Sequence, residues 1–328
     1  MISPQQIFSI KTESDFTAAA LELFKYQAQH CAVYREYLQM LGVVTEKVKS
    51  ADTIPFLPVE FFKTQTVISN EKKQEIVFES SGTTGAEVSR HYIADKEIYM
   101  RSCRQSFEMF YGDVKDYCIL ALLPSYLERK NSSLVFMVDY FIRTGAQAES
   151  GFYLSDYDQL SDTLRKLESK GKKNILLGVS YALLDFAEQF PVHLSHTIVV
   201  ETGGMKGRRK EMTRQELHHI LCNAFKLKAI HSEYGMTELL SQAYSKGNGI
   251  FYCPPWMKIL LRNPNDPFDV SDKRRSGNIN IIDLANIYSC SFIATQDVGS
   301  TSEEGGFEVL GRTDAADVRG CNLLVSEM

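Results

Sequence analysis

The sequence lacks a long apolar run, a block of like charge and a paired-cysteine motif. No stretch reaches the ~18 uninterrupted apolar residues of a membrane span, and residues 1–16 lack the apolar run of a signal peptide. The formal net charge is −5, with acids and bases mixed along the chain, which argues against a nucleic-acid partner. The seven cysteines form no CxxC pair, so we expect no disulfide framework, no zinc site and a reducing, cytoplasmic location.

The composition is that of a soluble globular protein with an ample core, because 44% of the residues are hydrophobic and 23% are charged. No internal repeat, low-complexity tract or Gly/Ser-rich linker divides the 328 residues. We predict a helical segment, residues 1–75, that packs on a body spanning residues 76–328. Residues 311–328 of that body are predicted to form a C-terminal tail.

Hydrophobic periodicity predicts an α/β fold. Residues 14–41 are predicted to form one long amphipathic helix, which Ser14 caps and Gly42 ends. Between residues 113 and 236, apolar strands alternate with amphipathic helices, a pattern typical of a mostly parallel sheet covered on both faces. After residue 250, short strands separated by Gly, Asn and Pro predict a β-rich, antiparallel final third.

The most informative stretch is "FESSGTTGAEVSRHYI", residues 78–93. It contains six consecutive Ser, Thr or Gly residues, which are Ser80, Ser81, Gly82, Thr83, Thr84 and Gly85. Such a loop exposes backbone N–H groups and hydroxyls, as a phosphate cradle does, although a surface hairpin turn has a similar composition. It is not a Walker loop, because the spacing differs, the lysine is absent and a strand, not a helix, is predicted to follow.

The chain resembles the adenylate-forming superfamily, which includes acyl-CoA synthetases and firefly luciferase. "SSGTTG" matches the signature loop of that superfamily. Four further motifs follow in the same order as in the superfamily: "VVETGGMKG" at 199–207, "EYGMTE" at 233–238, "ATQDVG" at 294–299 and "GRTDAADVRG" at 311–320. The resemblance implies a carboxylate-activating enzyme that uses ATP and Mg²⁺ as cofactors.

The resemblance also implies a site for each part of ATP. Its residues outside the signature loop are Gly203, Gly204, Tyr234, Gly235, Thr237, Glu238, Asp297 and Arg312. Tyr234 would stack on adenine, Asp297 and Arg312 would lie at the ribose, and Thr237 would bind the α-phosphate. Glu238 would help to hold Mg²⁺. These residue types suit those roles, since an aromatic face suits a base and a carboxylate oxygen suits Mg²⁺.

Two features depart from the superfamily pattern. Val88 stands where the signature loop normally continues to a lysine, and Arg90 is our candidate to supply the missing positive charge. Superfamily members usually continue past a hinge, here Asp314, into a small lid domain that carries a catalytic lysine. We expect this chain to lack the lid.

Within the superfamily, the chain resembles the acyl-protein synthetases of bacterial bioluminescence. The matches are the overall length, "IPFLPVEFFK", "SSGTTG…SRH" and the end shortly after "VRGC". In that family a cysteine near the C-terminus accepts the acyl group, and Cys321 occupies the equivalent place. Arg312 and Arg319 would lower the pKa of its thiol. The alternative is that Cys321 packs as a buried hydrophobe.

The resemblance therefore predicts that a fatty or aryl acid is activated as an acyl-adenylate and passed to Cys321 for a partner such as an acyl reductase. One alternative is a coenzyme A or carrier-protein ligase similar to phenylacetate-CoA ligase. A second is a non-catalytic ATP-binding subunit, which the missing loop lysine would suit. His91 and His231 are weaker candidates for contacts in the site, and His218 with His219 is expected to span a surface and a core position.

Overall fold

The computed structural model describes residues 2–69, 72–80, 87–124, 131–205, 207–271, 274–302 and 305–313. Within these ranges the chain forms two six-stranded sheets, one separate hairpin and helices that cover them. The predicted α/β fold class is therefore confirmed. The described ranges contain no helix with both the length and the apolar content needed to cross a bilayer.

The N-terminal part is mostly helical. Its elements are α1 (Pro4–Ile7), α2 (Glu13–His30), α3 (Ala32–Met40), β1 (Leu57–Pro58) and α4 (Phe61–Thr64). The prediction of one helix over 14–41 was wrong, because Cys31 adopts an extended conformation and pairs as an isolated bridge with Ser69. The predicted cap was also wrong. Thr12 caps α2 through a capping box with Asp15, at 3.1 Å and 3.0 Å.

A two-stranded antiparallel hairpin flanks the glycine-rich stretch, as predicted. It consists of β2 (Ile76–Glu79) and β3 (Arg90–Ile93), and α5 (Lys96–Tyr111) follows it. Ser80 and Ser89 extend the pairing by one step, since Ser80 N–H donates to the Ser89 carbonyl at 3.0 Å. Ser80, which begins the glycine-rich stretch, and Ser89, which follows it, are therefore neighbours.

The predicted alternation of strands and helices forms the first large sheet. Its elements are β4 (Cys118–Leu122), α6 (Ser133–Gly145), β5 (Gly151–Phe152), α7 (Tyr157–Ser169), β6 (Asn174–Val179), α8 (Ser180–Gln189), β7 (Thr197–Thr202), α9 (Arg214–Phe225), β8 (His231–Tyr234) and β9 (Ala243–Ser245). The strand order is β5-β4-β6-β7-β8-β9, parallel except for β9. Every residue of β4 and β6 is buried, which explains their continuous apolar runs.

The β-rich final third forms the second sheet, as predicted. Its strands are β10 (Met257–Asn263), β11 (Asp266–Ser271), β12 (Ser276–Asp283), β13 (Phe292–Thr301) and β14 (Phe307–Arg312). The order is β1-β13-β12-β10-β11, with β14 also on β13, and all pairs except β1–β13 are antiparallel. The N-terminal part therefore contributes a strand to this sheet. A domain boundary at residue 75 stays a prediction.

Candidate active site

Two of the predicted nucleotide-binding segments lie side by side because they follow neighbouring parallel strands. Thr202 at the end of β7 is paired with Glu233 at the end of β8. Gly203 and Gly204 follow β7, and both are exposed. Gly203 has a φ of 69°, which favours glycine, and a Cβ added at Gly204 would meet nothing within 4 Å. The strand ends thus leave open space, of the kind that ligands occupy in α/β sheets.

Tyr234, Asp297 and Arg312 come together from three of the predicted motifs. The Tyr234 hydroxyl donates to Asp297 Oδ2 at 2.7 Å, and Arg312 Nε lies 3.4 Å from Asp297 Oδ1. The register of β13 with β14 places Asp297 opposite Arg312. Burial raises the pKa of Tyr234, so its hydroxyl keeps the proton that it donates. The carboxylate of Asp297 is thereby oriented between a phenol and a guanidinium.

The segment after β8 places Thr237 and Glu238 at the same edge. Thr237 is half-buried, and the Glu238 residue is only 5% exposed. The Thr237 carbonyl lies 2.9 Å from His91 Nδ1, and the Glu238 carbonyl accepts from Asn286 Nδ2 at 2.8 Å. Both carbonyls are therefore held by side chains from elsewhere in the fold, which defines the direction of the segment.

Glu238 suits a Mg²⁺ site whose ligands come partly from the protein and mostly from a bound nucleotide. In the ranges that the structure describes, no three His, Cys, Asp or Glu side chains are grouped closely enough to hold a metal alone. Mg²⁺ commonly binds through one or two carboxylates together with substrate phosphates. Burial raises the pKa of Glu238, and a neighbouring cation would stabilise its charged form. The residue present therefore fits the ion.

Part of the signature loop and the tail lie outside the described residues. The residues concerned are Ser81, Gly82, Thr83, Thr84, Gly85, Asp314, Arg319 and Cys321. Of the flanking residues, Ser80 uses its hydroxyl to accept from Ser89 N–H at 2.9 Å, which closes the base of the loop. Arg90 is exposed and its Nε lies 3.2 Å from Glu79 Oε1. Its role at the phosphates stays a prediction.

The four histidines that the sequence analysis considered lie in different environments. The expectation for His231 was wrong: it lies on the face of β8 opposite to Tyr234 and stacks on Tyr111 of α5, with ring centroids 5.7 Å apart. His91 is fully buried and faces the segment after β8. On α9, His218 is half-buried beside Glu201 and His219 is exposed.

Sequence reasoning missed two buried carboxylates at the ends of β7 and β8. Burial acts to raise the pKa of Glu201, but a hydrogen bond from His218 and the charge of Arg214 outweigh it, and the pKa is lowered. Among the described residues, no such cation acts on Glu233. Burial, aided by the charge of Glu201 and opposed by a hydrogen bond from Thr202, raises the pKa of Glu233 to about 7. Side chains alternate between the two faces of a strand, so Glu233 and Tyr234 lie on opposite faces of β8. This alternation was the signal in the sequence for a Glu233 side chain inside the fold.

Replacing Glu233 with glutamine is expected to stabilise the protein by about 1–3 kcal/mol at pH 8 and by less at pH 5. The folded pKa lies above the unfolded value of about 4.3, so the stability that the neutral carboxyl contributes is complete below the unfolded pKa. It is lost as the pH rises through the folded pKa. Glutamine does not titrate and still accepts from Thr202. Urea unfolding at pH 5, 6, 7 and 8 measures the effect.

The exposed Glu36→Gln variant is the matched control and should show no such pH dependence. An equal change in the free energy of unfolding at pH 5 and pH 8 for Glu233→Gln would mean that the carboxyl is ionised throughout.

Comparison of the sequence with known proteins identifies a matching protein family. A family model described as "Acyl-protein synthetase, LuxE" matches residues 4–328. The long-chain-fatty-acid–luciferin-component ligase of Vibrio harveyi is 22% identical over 352 aligned residues, which cover 100% of this chain and 91% of that protein. The ligase of the same name from Photorhabdus luminescens is 39% identical over 66 residues, or 20% of this chain and 56% of that protein.

Solved structures share the fold. A 2-hydroxyisobutyryl-CoA ligase, crystallised in the postadenylation state, superposes with a TM-score of 0.64 at 10% identity, over 95% of this chain and 70% of that one. ATP-bound MatB from Rhodopseudomonas palustris superposes with a TM-score of 0.55 at 16% identity, over 72% of this chain. The matched region spans 47% of MatB, about half of its length. At these identities the likeness concerns the fold alone.

Proposed function

The chain belongs to the LuxE family of acyl-protein synthetases, and from this we propose that it activates a long-chain fatty acid and passes the acyl group to Cys321. Membership makes the chain an AMP-forming ligase, which activates an acid with ATP and then transfers the acyl group. The choice of a long-chain acid follows the name of the Vibrio harveyi relative. The observation that carries the proposal is the contact of Asp297 with both Tyr234 and Arg312, because it unites three of the predicted motifs at one edge of the fold.

In the first step, a carboxylate oxygen of the acid forms a bond with the α-phosphorus of ATP. The bond from that phosphorus to the bridging oxygen breaks, and pyrophosphate leaves with the electron pair. Tyr234 and the backbone of Gly203–Gly204 would hold adenine, and Asp297 would accept from the ribose hydroxyls. Thr237 would orient the α-phosphate. Mg²⁺, bound with the help of Glu238, would offset the negative charge of the phosphates.

In the second step, the Cys321 thiol gives its proton to solvent, and the thiolate attacks the acyl carbon. The bond from that carbon to the phosphate oxygen breaks, AMP leaves with the electron pair, and a thioester forms. A thiolate suits this step because it is a strong nucleophile and its thioester stays reactive towards a further acceptor. An acyl reductase is the partner that we propose for the thioester.

The proposed substrate is tested by acid-dependent exchange of labelled pyrophosphate into ATP. We expect exchange with tetradecanoate that is at least 10-fold faster than with benzoate or acetate at equal concentration, because alkyl chain burial contributes about 0.8 kcal/mol per methylene. Added coenzyme A should yield no acyl-CoA. Acyl-CoA as the main product would support the coenzyme A ligase alternative. ATP binding without any exchange would support a non-catalytic subunit.

A further inference from the structure

Outside its own ladder, the hairpin that carries the glycine-rich loop has a backbone hydrogen bond from Glu79 N–H to the Asn131 carbonyl at 2.8 Å, and side chains hold it against the Thr237–Glu238 segment. In the described residues, β2 pairs with β3 and with neither of the two large sheets. Backbone ladders therefore do not determine where the hairpin lies relative to the Thr237–Glu238 segment. That task falls to side-chain contacts between the two.

Two alternate residues of the hairpin provide these contacts. Ser89 and His91 are 3% and 0% exposed, and they lie on the same face because they are two positions apart. The Ser89 side chain lies near the Glu238 carboxyl and opposes the rise in its pKa that burial causes. His91 Nδ1 lies 2.9 Å from the Thr237 carbonyl oxygen. Phe62 of α4 packs edge-on against the His91 ring, with centroids 5.5 Å apart, and keeps the ring in this orientation.

Asn286 connects the same imidazole to the second sheet. Its Oδ1 lies 3.0 Å from His91 Nε2, while its Nδ2 donates to the Glu238 carbonyl at 2.8 Å. The backbone of Asn286 is anchored in turn, since its carbonyl accepts from Gln27 Nε2 at 2.9 Å. His91 therefore lies at the centre of a network that joins the hairpin, the Thr237–Glu238 segment and the second sheet.

We propose that His91 is a positioning residue that sets the distance between the β2–β3 hairpin and the Thr237–Glu238 segment. Because it is fully buried, His91 touches no substrate and acts through the Thr237 carbonyl. The inference rests on the proposed function, in which the loop holds the leaving phosphates and Thr237 with Glu238 holds the α-phosphate and Mg²⁺. A loop displaced relative to that segment would bind ATP but hold its reacting atoms out of line.

The chemistry of the contacts shows which substitutions separate positioning from packing. The Thr237 carbonyl oxygen and Asn286 Oδ1 both only accept, and a neutral imidazole carries one N–H, so the ring donates to one of them; we assign the hydrogen to Nδ1 and hence to Thr237. Asparagine places its amide nitrogen near the position of Nδ1 and retains this bond. Glutamine reaches the position of Nε2, where its amide nitrogen can donate to Asn286 Oδ1 but not to the Thr237 carbonyl. Phenylalanine keeps the ring contact with Phe62 and loses both polar contacts.

The test measures kcat and KM for ATP in acid-dependent pyrophosphate exchange, together with the Mg²⁺ concentration at half-maximal rate. We expect His91→Asn to stay within about threefold of the wild-type kcat, and His91→Gln and His91→Phe to lose about 10- to 100-fold. KM for ATP should change less than kcat, and the two weaker variants should require more Mg²⁺. His219→Gln, on the exposed face of α9, should match the wild type.

Unfolding midpoints of all variants separate a loss of alignment from a loss of folded protein. The inference is overturned if the three variants match the wild type, or if all three lose activity equally and in step with their midpoints. Should the phenylalanine variant not fold, the comparison of asparagine with glutamine decides alone. A wild-type chain without exchange would remove the proposed function and this inference together, whereas exchange that is insensitive to His91→Gln removes this inference only.

Discussion

Cys321→Ala is expected to abolish covalent acylation of the protein while ATP–pyrophosphate exchange stays within about twofold of the wild type. The two steps of the proposed reaction use different groups, so removal of the acceptor leaves the first step intact. The measurement is incubation with ATP and radiolabelled tetradecanoate, followed by denaturing gel separation. The wild-type label should be released by neutral hydroxylamine, as a thioester is.

The six cysteines that the structure describes are poor acceptors of an acyl group. Burial raises the pKa of each of these thiols, which are Cys31, Cys103, Cys118, Cys222, Cys253 and Cys290. A thiol with a raised pKa offers little thiolate at neutral pH, and the thiolate is the nucleophile. The raised pKa values of these thiols therefore support Cys321 as the proposed acceptor.

Chain length also permits the transfer. Arg312 is bound at Asp297, and Cys321 follows nine residues later. Nine residues span at most about 30 Å when extended, which covers the distance across a nucleotide site. Cys222→Ser, which changes a half-buried thiol on α9, is the matched control and should keep the label. A label that survives in Cys321→Ala would assign the acceptor to another residue.

Asp297→Asn is expected to lower kcat/KM for ATP in the exchange reaction about 10- to 100-fold. The carboxylate accepts from the Tyr234 hydroxyl at 2.7 Å and is proposed to accept from the ribose. Asparagine retains one acceptor oxygen for Tyr234 but loses the charge, and hydrogen bonds to charged groups contribute about 1.5–3 kcal/mol. Most of the change should be in KM, because the ribose is bound in both the ground and the transition states.

Tyr234→Phe separates the role of the ring from that of the hydroxyl. It keeps the aromatic face and loses one hydrogen bond, so we expect a change within about fivefold. The exposed Asp266→Asn variant controls for the loss of a surface carboxylate and should have no effect. If Asp297→Asn bound ATP as well as the wild type, the assignment of this strand to the ribose would be wrong.

The regular part of the fold was predictable because its signals are local. The buried strands β4 and β6 were visible as continuous apolar runs. The structure starts α9 with a capping box of Thr213 and Glu216, whose spacing of three residues can be read from the sequence. The break of the N-terminal helix at Cys31 was not predictable, since it comes from pairing with Ser69, 38 residues later. No proline or glycine marks that position.

The order of the nucleotide motifs was predictable by resemblance, but their contacts were not. A sequence shows that Tyr234 and Asp297 exist, whereas the 2.7 Å contact between them depends on how β8 and β13 are brought together. His91 illustrates the same limit. Its polar side chain suggested contact with a ligand. In the structure, however, the His91 side chain points into the fold and contacts Thr237 and Asn286.

The pairing of β1 with β13 also has a consequence for biosynthesis. Leu57 is aligned with Ile293, 236 residues further along the chain, and Val59 N–H donates to the Ala294 carbonyl at 3.0 Å. A ribosome releases β1 long before its partner has been translated, so β1 stays unpaired until β13, the strand that carries Asp297, emerges. Such distant pairing slows folding. The newborn chain therefore spends most of its synthesis with an unpaired β1, the state in which a chaperone would be needed most.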